Sequence, residues 1–440
     1  MANNPIANMF RLKDLRDRIF FTLGILAVFR LGSVLTIPGI SPDALNNYFD
    51  EAAGGGRNPF VDYMDFFAGG AFSNFSVFML GVMPYISTQI IMQLALIIFP
   101  SLKHIAQEDG GQKKVQAWTR IGTVFVCLIQ AAAVTQYARI IPEAIVIGNA
   151  FFTAVAVITV TTGTMITVWL GEQITARGIG NGISMIIFAG IVARLPGAIW
   201  ELIGRIRGGT TNPVLAIIAL VMFAGIIMLV IFEQQGQRKI PVHYAKRVIG
   251  RKMYGGQSTY LPFKINPSGV IPVIFASSFL TFPLQVATSL GSNWRWLNRV
   301  AAVLSPGGVW YNVFLVVLIV FFAYFYTQVT MNPTEIAKNI RENGGSIPGI
   351  RTDKTEEYLQ KVLNRLVLPG SLYLAGIAVL PTVIQRLFGF PQSIAMLMGG
   401  TSLLILVGVD LDTMSQVEAH LKMHHHDGLV KRGKIRSRNL

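Results

Sequence analysis

The sequence predicts an all-α polytopic membrane protein with ten transmembrane helices, on three observations. Hydrophobic residues make up 52% of the 440 positions and charged residues only 13%, against roughly a quarter charged in soluble domains. The charges are also unevenly spread. Nothing charged lies between Lys264 and Arg295, and Glu335 is the only charge between Arg299 and Lys338. Apolar runs of that length fit hydrocarbon and are hard to wrap inside a water-soluble core. Third, the basic residues fall on one side of the spans.

Taken in order, the spans are expected at 19–37, 75–99, 118–138, 150–170, 183–203, 214–232, 270–290, 309–331, 366–385 and 394–409. Most match the ~20 apolar residues that cross a bilayer. The first follows a polar, mixed-charge start (Met1 to Arg18) that is expected to hold no cleavable signal. The second is long enough to tilt, and the last is short. The third carries Cys127, the single cysteine, so no intramolecular disulfide is possible. The fifth contains Arg194 and Pro196 and needs independent support.

Charge asymmetry supplies that support. With the N-terminus in the cytoplasm, inner segments hold 28 Lys and Arg, outer segments hold 8, and Arg30 lies within the first span. This is the bias the positive-inside rule requires. Without the fifth span, the two most basic loops would lie outside. The net charge of +15 therefore belongs mainly to inner loops and to a basic tail, 419–440. The five spans on each side of the 203–214 break show no convincing repeat, so the expected domains are simply 1–203 and 204–418.

Two inner loops are long. Segment 233–268 alternates apolar and basic residues around Gly236 and Gly255–Gly256 and reads as a protruding hairpin. It has seven basic residues against Glu233 alone, with Tyr244, Tyr254 and Tyr260 interleaved, which suits an anionic partner larger than a lipid headgroup. Segment 332–365 is bland by comparison, six basic and five acidic. The outer loop 38–74 ends in an apolar, glycine-broken stretch too short to span. That suggests a re-entrant segment, since irregular backbone must be buried in protein.

Catalysis has no candidate. There is no HExxH and no nucleophile elbow, and Gly428 to Lys434 fits GxxxxGK but is followed by Ile435, not Ser or Thr. His424, His425 and His426 lack a closed ligand set and read as a solvated tail, so no metal or cofactor is expected. Arg30, Glu172, Asp410 and Asp412 sit near span ends, where snorkelling is the ordinary reading. The spans contain mild polarity instead, including Gln89, Gln93, Gln130, Thr161, Ser277 and Ser278. Helix–helix hydrogen bonding explains any one of these, and together they would suit a seam that parts and recloses. Val82 and Ile86 are four apart, as are Ile187 and Ile191, so each pair shares a helix face. Such faces ordinarily meet lipid or other helices. Around an axis they would form a dewetted constriction.

The stretches GVMPYISTQIIMQL (81–94), ARGIGNGISMIIFAGIV (176–192), YAKRVIGRKMYGGQSTYLPFKIN (244–266), GVIPVIFASS (269–278), SIPGIR (346–351) and GGTSLLILVGV (399–409) resemble the SecY family, the channel subunits of the bacterial protein translocase. The resemblance runs in order over nearly the whole chain. It implies two five-helix halves, hinged between spans five and six, around a central pore. The pore would open sideways through a lateral gate between spans two and three and spans seven and eight, where Gln93, Gln130, Ser277 and Ser278 lie. Val82, Ile86, Ile187, Ile191, Ile274 and Ile405 match the family's pore ring. The plug would be about 62–74, including Asp65, Phe66, Phe67, Gly69, Gly70 and Phe72. Lys246, Arg247, Arg251, Lys252 and Arg351 would dock the ATPase SecA or the ribosome through its RNA. The other implied partners are SecE, SecG, an unfolded polypeptide with a signal sequence, and lipid. The implied location is the bacterial inner membrane, with both termini cytoplasmic. Two other classes fit less well. A solute carrier would want ionisable groups within its spans, and an intramembrane protease would need a nucleophile or a carboxylate pair.

Overall fold

The computed structural model describes residues 12–53, 64–65, 67–139, 141, 143–209, 212–244, 247–249, 252–254, 258–290, 295–389, 394–396 and 399–431. The helices begin with α1 (Lys13–Gly32), α2 (Pro42–Ala53), α3 (Met83–Ile98), α4 (Pro100–Gln107), α5 (Gly111–Ala138), α6 (Asn149–Arg177), α7 (Gly182–Arg207) and α8 (Pro213–Gln235). Four strands follow, β1 (Gln237–Tyr244), β2 (Arg247–Ile249), β3 (Lys252–Tyr254) and β4 (Ser258–Lys264). Then come α9 (Ile271–Leu290), α10 (Arg295–Val303), α11 (Val309–Thr330), α12 (Pro333–Glu342), β5 (Gly345–Ser346), α13 (Thr355–Phe388) and α14 (Thr401–Lys431).

Each of the ten expected spans meets a helix: α1, α3, α5, α6, α7, α8, α9, α11, α13 and α14. Among the described residues, seven helices are individually long and apolar enough to cross a membrane, and α3 with α4 makes an eighth if the bent pair is one span. The fifth expected span, α7, is one of the seven. Pro196 lies within α7, which continues through it. Large apolar side chains such as Leu23, Phe125, Trp169, Val221, Met228 and Phe232 stand exposed along these helices, as a lipid-facing surface requires.

Three boundaries differ from expectation. The second span does not begin at 75: residues 75–82 are turns around a bridge from Ser76 to Thr36, with Gly81 at φ +52°. The helix starts only at Met83, with Pro84 in its first turn, where a missing N–H costs nothing. Pro100 then cannot continue the helix, and the chain turns by 104° into α4. The first span ends at Gly32, leaving 35–37 extended against the re-entrant segment, with Ile37 N–H on the Phe75 carbonyl at 2.9 Å and Val77 N–H on that of Leu35 at 2.9 Å. The last helix runs to Lys431, far beyond the short span expected. Asn-Pro pairs start α8 and α12: Asn212 Oδ1 accepts from Val214 N–H at 3.0 Å and Asn332 Oδ1 from Thr334 N–H at 3.2 Å.

The chain divides into two compact units, Met1–Gly204 with Phe282–Pro306 and Ile405–Leu440, and Arg205–Thr281 with Gly307–Leu404. In the first, α3 and α6 both pack on α5. Phe72, Phe75, Met79 and Leu80 fill a core with Cys127, Ala131 and Val134 of α5 and Phe152, Ala156 and Val160 of α6. In the second, β1 pairs antiparallel with β4, Gln237 opposite Lys264, and with β5, His243 opposite Ser346. Strand alternation turns Ile240 and Val242 inward and leaves Lys239 and Pro241 outside. The inward residues join Phe263, Ile340, Ile347, Leu359 and Leu363 in one core, so the two long loops fold as a single body over α12 and α13.

Candidate functional site

The segment expected to be re-entrant is built around Asp65. The residue is 1% exposed. Oδ1 accepts the Ser73 N–H at 2.8 Å, and its own carbonyl accepts the Gly70 N–H at 2.9 Å, closing a turn over 65–73. Gly69 (φ +65°) and Gly70 (φ +92°) supply the left-handed backbone that the turn needs. Phe67 and Phe72 are buried, as the bare backbone of such a segment demands. Phe66 lies outside the described residues.

Two cations reach this turn. Arg194 of α7 makes an ion pair with Asp65 through Nη2 and Oδ2. Arg30 of α1 donates from Nη1 to the Gly69 carbonyl at 2.6 Å. Half-buried Arg30 is therefore engaged by the protein, where it satisfies a turn carbonyl, and does not simply snorkel. Glu172 also has a partner, Arg120 Nε at 2.8 Å across α5 and α6. Asp410 and Asp412 are exposed, as their position near a span end suggested.

The six aliphatic candidates are all buried: Val82 and Ile86 at 4%, Ile187 at 3%, Ile191 at 1%, Ile274 at 9% and Ile405 at 0% exposure. Their helices carry other aliphatics on exposed faces, Ile91 and Ile98 on α3 and Val192 and Ile199 on α7. For Ile187 and Ile191 of α7 the four-residue spacing marks a buried helix face, whereas Val82 lies in the turn before α3 and so shares no helix face with Ile86.

Of the seam candidates, Gln130 of α5 is 5% exposed, and its Oε1 and that of Gln93 on α3 are buried without a hydrogen-bond partner. Unsatisfied amides of this kind are costly in a sealed core. Ser277 and Ser278 of α9 are buried, and Ser277 Oγ donates to the Ile274 carbonyl at 2.9 Å, as helix hydroxyls do in apolar surroundings.

Of the basic docking candidates, Arg247 and Lys252 lie on the β2–β3 hairpin, opposite Tyr254 and Ile249. Lys246 and Arg251 lie outside the described residues. Arg351 is exposed at the rim of an open cleft of about 330 Å³, shared with Gly349, Ile350, Lys354, Glu357, Tyr358 and Lys361. Three cations against one carboxylate give the cleft an anion-attracting character, although its loop looked electrically bland in the sequence.

Comparison with known proteins decides the family. The SecY family model matches residues 76–414. The chain is 43% identical over 417 residues to the protein translocase subunit SecY of Borreliella burgdorferi, covering 94% of each chain. It is 41% identical to that of Vibrio cholerae and 40% identical to that of Escherichia coli K12, each over 97% of this chain and 96% of the relative.

The chain belongs to the SecY family.

Its fold is also that of a solved protein-conducting channel, at a TM-score of 0.63 and 18% identity over 91% of both chains. Sec61 from a canine ribosome–channel complex superposes with a TM-score of 0.58 over 91% of both chains, at 17% identity. SecY-family members are channel subunits and not catalysts, and this one is a multi-pass membrane protein of that kind.

Two features of this family member escaped the sequence reading. The pairing of Asp65 with Arg194 joins residues 129 positions apart, and only the oddity of an arginine within an apolar span pointed to it. The glycine-rich RGIGNG turn ties helices together: Ile179 N–H reaches Thr22 Oγ1 at 3.1 Å, and Gly180 N–H reaches Gln416 Oε1 at 2.9 Å.

Proposed function

We propose that the chain passes unfolded secretory polypeptides across the bacterial cytoplasmic membrane and releases hydrophobic segments sideways into it. The observation that carries this reading is the burial of all six aliphatic candidates in a chain of SecY lineage. Unfolded chains vary at every side chain, so a pore for them needs a compliant apolar ring and not fixed hydrogen bonds. Such a ring holds little water and binds no ion, which keeps leakage low when nothing is passing.

On this reading residues 62–74 are the plug, and Gln93, Gln130, Ser277 and Ser278 belong to the lateral gate. The unsatisfied amides of Gln93 and Gln130 favour a seam that opens, since an opened seam wets them. An apolar signal segment leaving through it gains ~25 cal/mol per Å² of surface moved into hydrocarbon.

The driving free energy comes from outside, through SecA or a translating ribosome. The cleft around Arg351 and, in the other loop, Arg247 and Lys252 supply the basic groups for docking those partners. Among structural relatives, Sec61 and Ssh1 have been seen bound to ribosomes, which supports ribosome docking here. SecE and SecG complete the assembly. The excess of 28 inner over 8 outer basic residues supports cytoplasmic termini.

The test is co-purification of a SecE-like subunit, followed by site-specific crosslinking of a stalled substrate from Ile86 and Ile191. Crosslinks at both positions are expected. Their absence, with crosslinking only from lipid-facing Ile91 or Val192, would overturn the reading.

A further inference from the structure

We infer that the Asp65–Arg194 ion pair is a clasp that sets how readily the plug leaves its seat, which makes Arg194 a positioning residue for channel opening. The inference rests on the plug reading above. Arg194 carries the only cation of α7 upstream of Arg205, and it is turned inward onto a carboxylate that is itself almost wholly buried. A charge on an apolar span is expensive and persists where it is paired.

Asp65 is placed to transmit the pairing. The same carboxylate holds the Ser73 N–H, and its carbonyl holds that of Gly70. Pulling the guanidinium away therefore loosens the whole turn. Arg30 fastens the centre of that turn from α1 through Gly69. Cations from two helices thus grip one short segment. Moving the plug must break both grips or carry the charges along. In a low-dielectric site a paired charge left alone is strongly penalised, so the clasp favours the seated state until a substrate opens a wetted path to it.

The test uses the full chain, with whatever small subunits co-purify, reconstituted in proteoliposomes. Variants are Asp65→Asn, Arg194→Leu, the double Asp65→Asn/Arg194→Leu, and the exchanged pair Asp65→Arg/Arg194→Asp. Two readouts are taken: amide hydrogen exchange over residues 67–76, and resting ion conductance. Each single variant is expected to speed exchange over 67–76 and raise resting conductance about tenfold or more. The double variant should fall short of the product of the singles, because both remove one shared interaction. If Arg194→Leu fails to fold, Asp65→Asn carries the test, since it keeps the acceptor for Ser73. Unchanged exchange in the single variants would overturn the clasp. Faster exchange with unchanged conductance would instead overturn the plug reading, and the gating role with it.

Discussion

Gly69 and Gly190 meet backbone to backbone: a Cβ built on Gly69 would sit 2.7 Å from the Gly190 Cα, closer than real Cβ contacts come. Gly69 also has φ +65°, which L side chains avoid. Substitution of Gly69 by Ala is therefore strained twice and should displace the turn from α7. Seating of the segment would weaken by ~1–3 kcal/mol. The reciprocal change is milder, because a Cβ on Gly190 reaches Gly69 Cα at an ordinary 3.4 Å. Hydrogen exchange over 67–76 should rise in Gly69→Ala and stay near the parent in Gly190→Ala. Equal effects would show that backbone contact does not hold the segment.

Ile405 is completely buried on α14. Replacing it by Asn buries an amide, at a cost of roughly 1–3 kcal/mol unless water follows it in. The closed state bears that cost. Ile405→Asn should admit poorly hydrophobic signal sequences and raise resting ion leak. Unchanged signal selectivity together with unchanged leak would remove Ile405 from the proposed ring.

The spans were legible because hydrocarbon imposes one simple rule, some twenty apolar residues with charge at the ends, and every expected span meets a helix. The hairpin in 233–268 was legible for a similar reason, since β1 alternates inward Ile240 and Val242 with exposed neighbours. What escaped depends on residues far apart in sequence. Nothing near Arg30 announces the Gly69 carbonyl 39 positions away, and nothing near Arg194 announces Asp65. Strand β5 is two residues long, too short for any periodicity, yet it joins the two loops. The bend at Phe99 did have a signal, because the residue before a proline is pushed out of helical geometry, but continuous hydrophobicity hid it.

Leu359 belongs to the core shared by the two long loops and is fully buried there with Ile240, Phe263 and Ile347. Leu359→Ala should destabilise that body by roughly 2–5 kcal/mol, from lost transfer energy and the cavity left behind. The spans are held by their own packing and should survive. Limited proteolysis should cut 233–268 and 332–365 faster in this variant, with the membrane-protected fragments unchanged. Uniform resistance across both loops would show that they do not share one fold.

Arg351 stands at the rim of the basic cleft with Lys354 and Lys361, and its carbonyl caps the turn at Lys354 through a 2.9 Å bond. The side chain points to solvent and contributes little to folding, so changing it tests docking without disturbing the fold. Arg351→Glu turns three cations and one carboxylate into two of each and cancels the local field. Association with an acidic partner surface should slow and become less sensitive to salt. SecA-driven transport into vesicles should fall sharply, while the variant still inserts into the membrane and retains its small subunits. Normal SecA-driven transport would show that Arg351 takes no part in docking. Lost insertion would show that the residue matters for assembly instead.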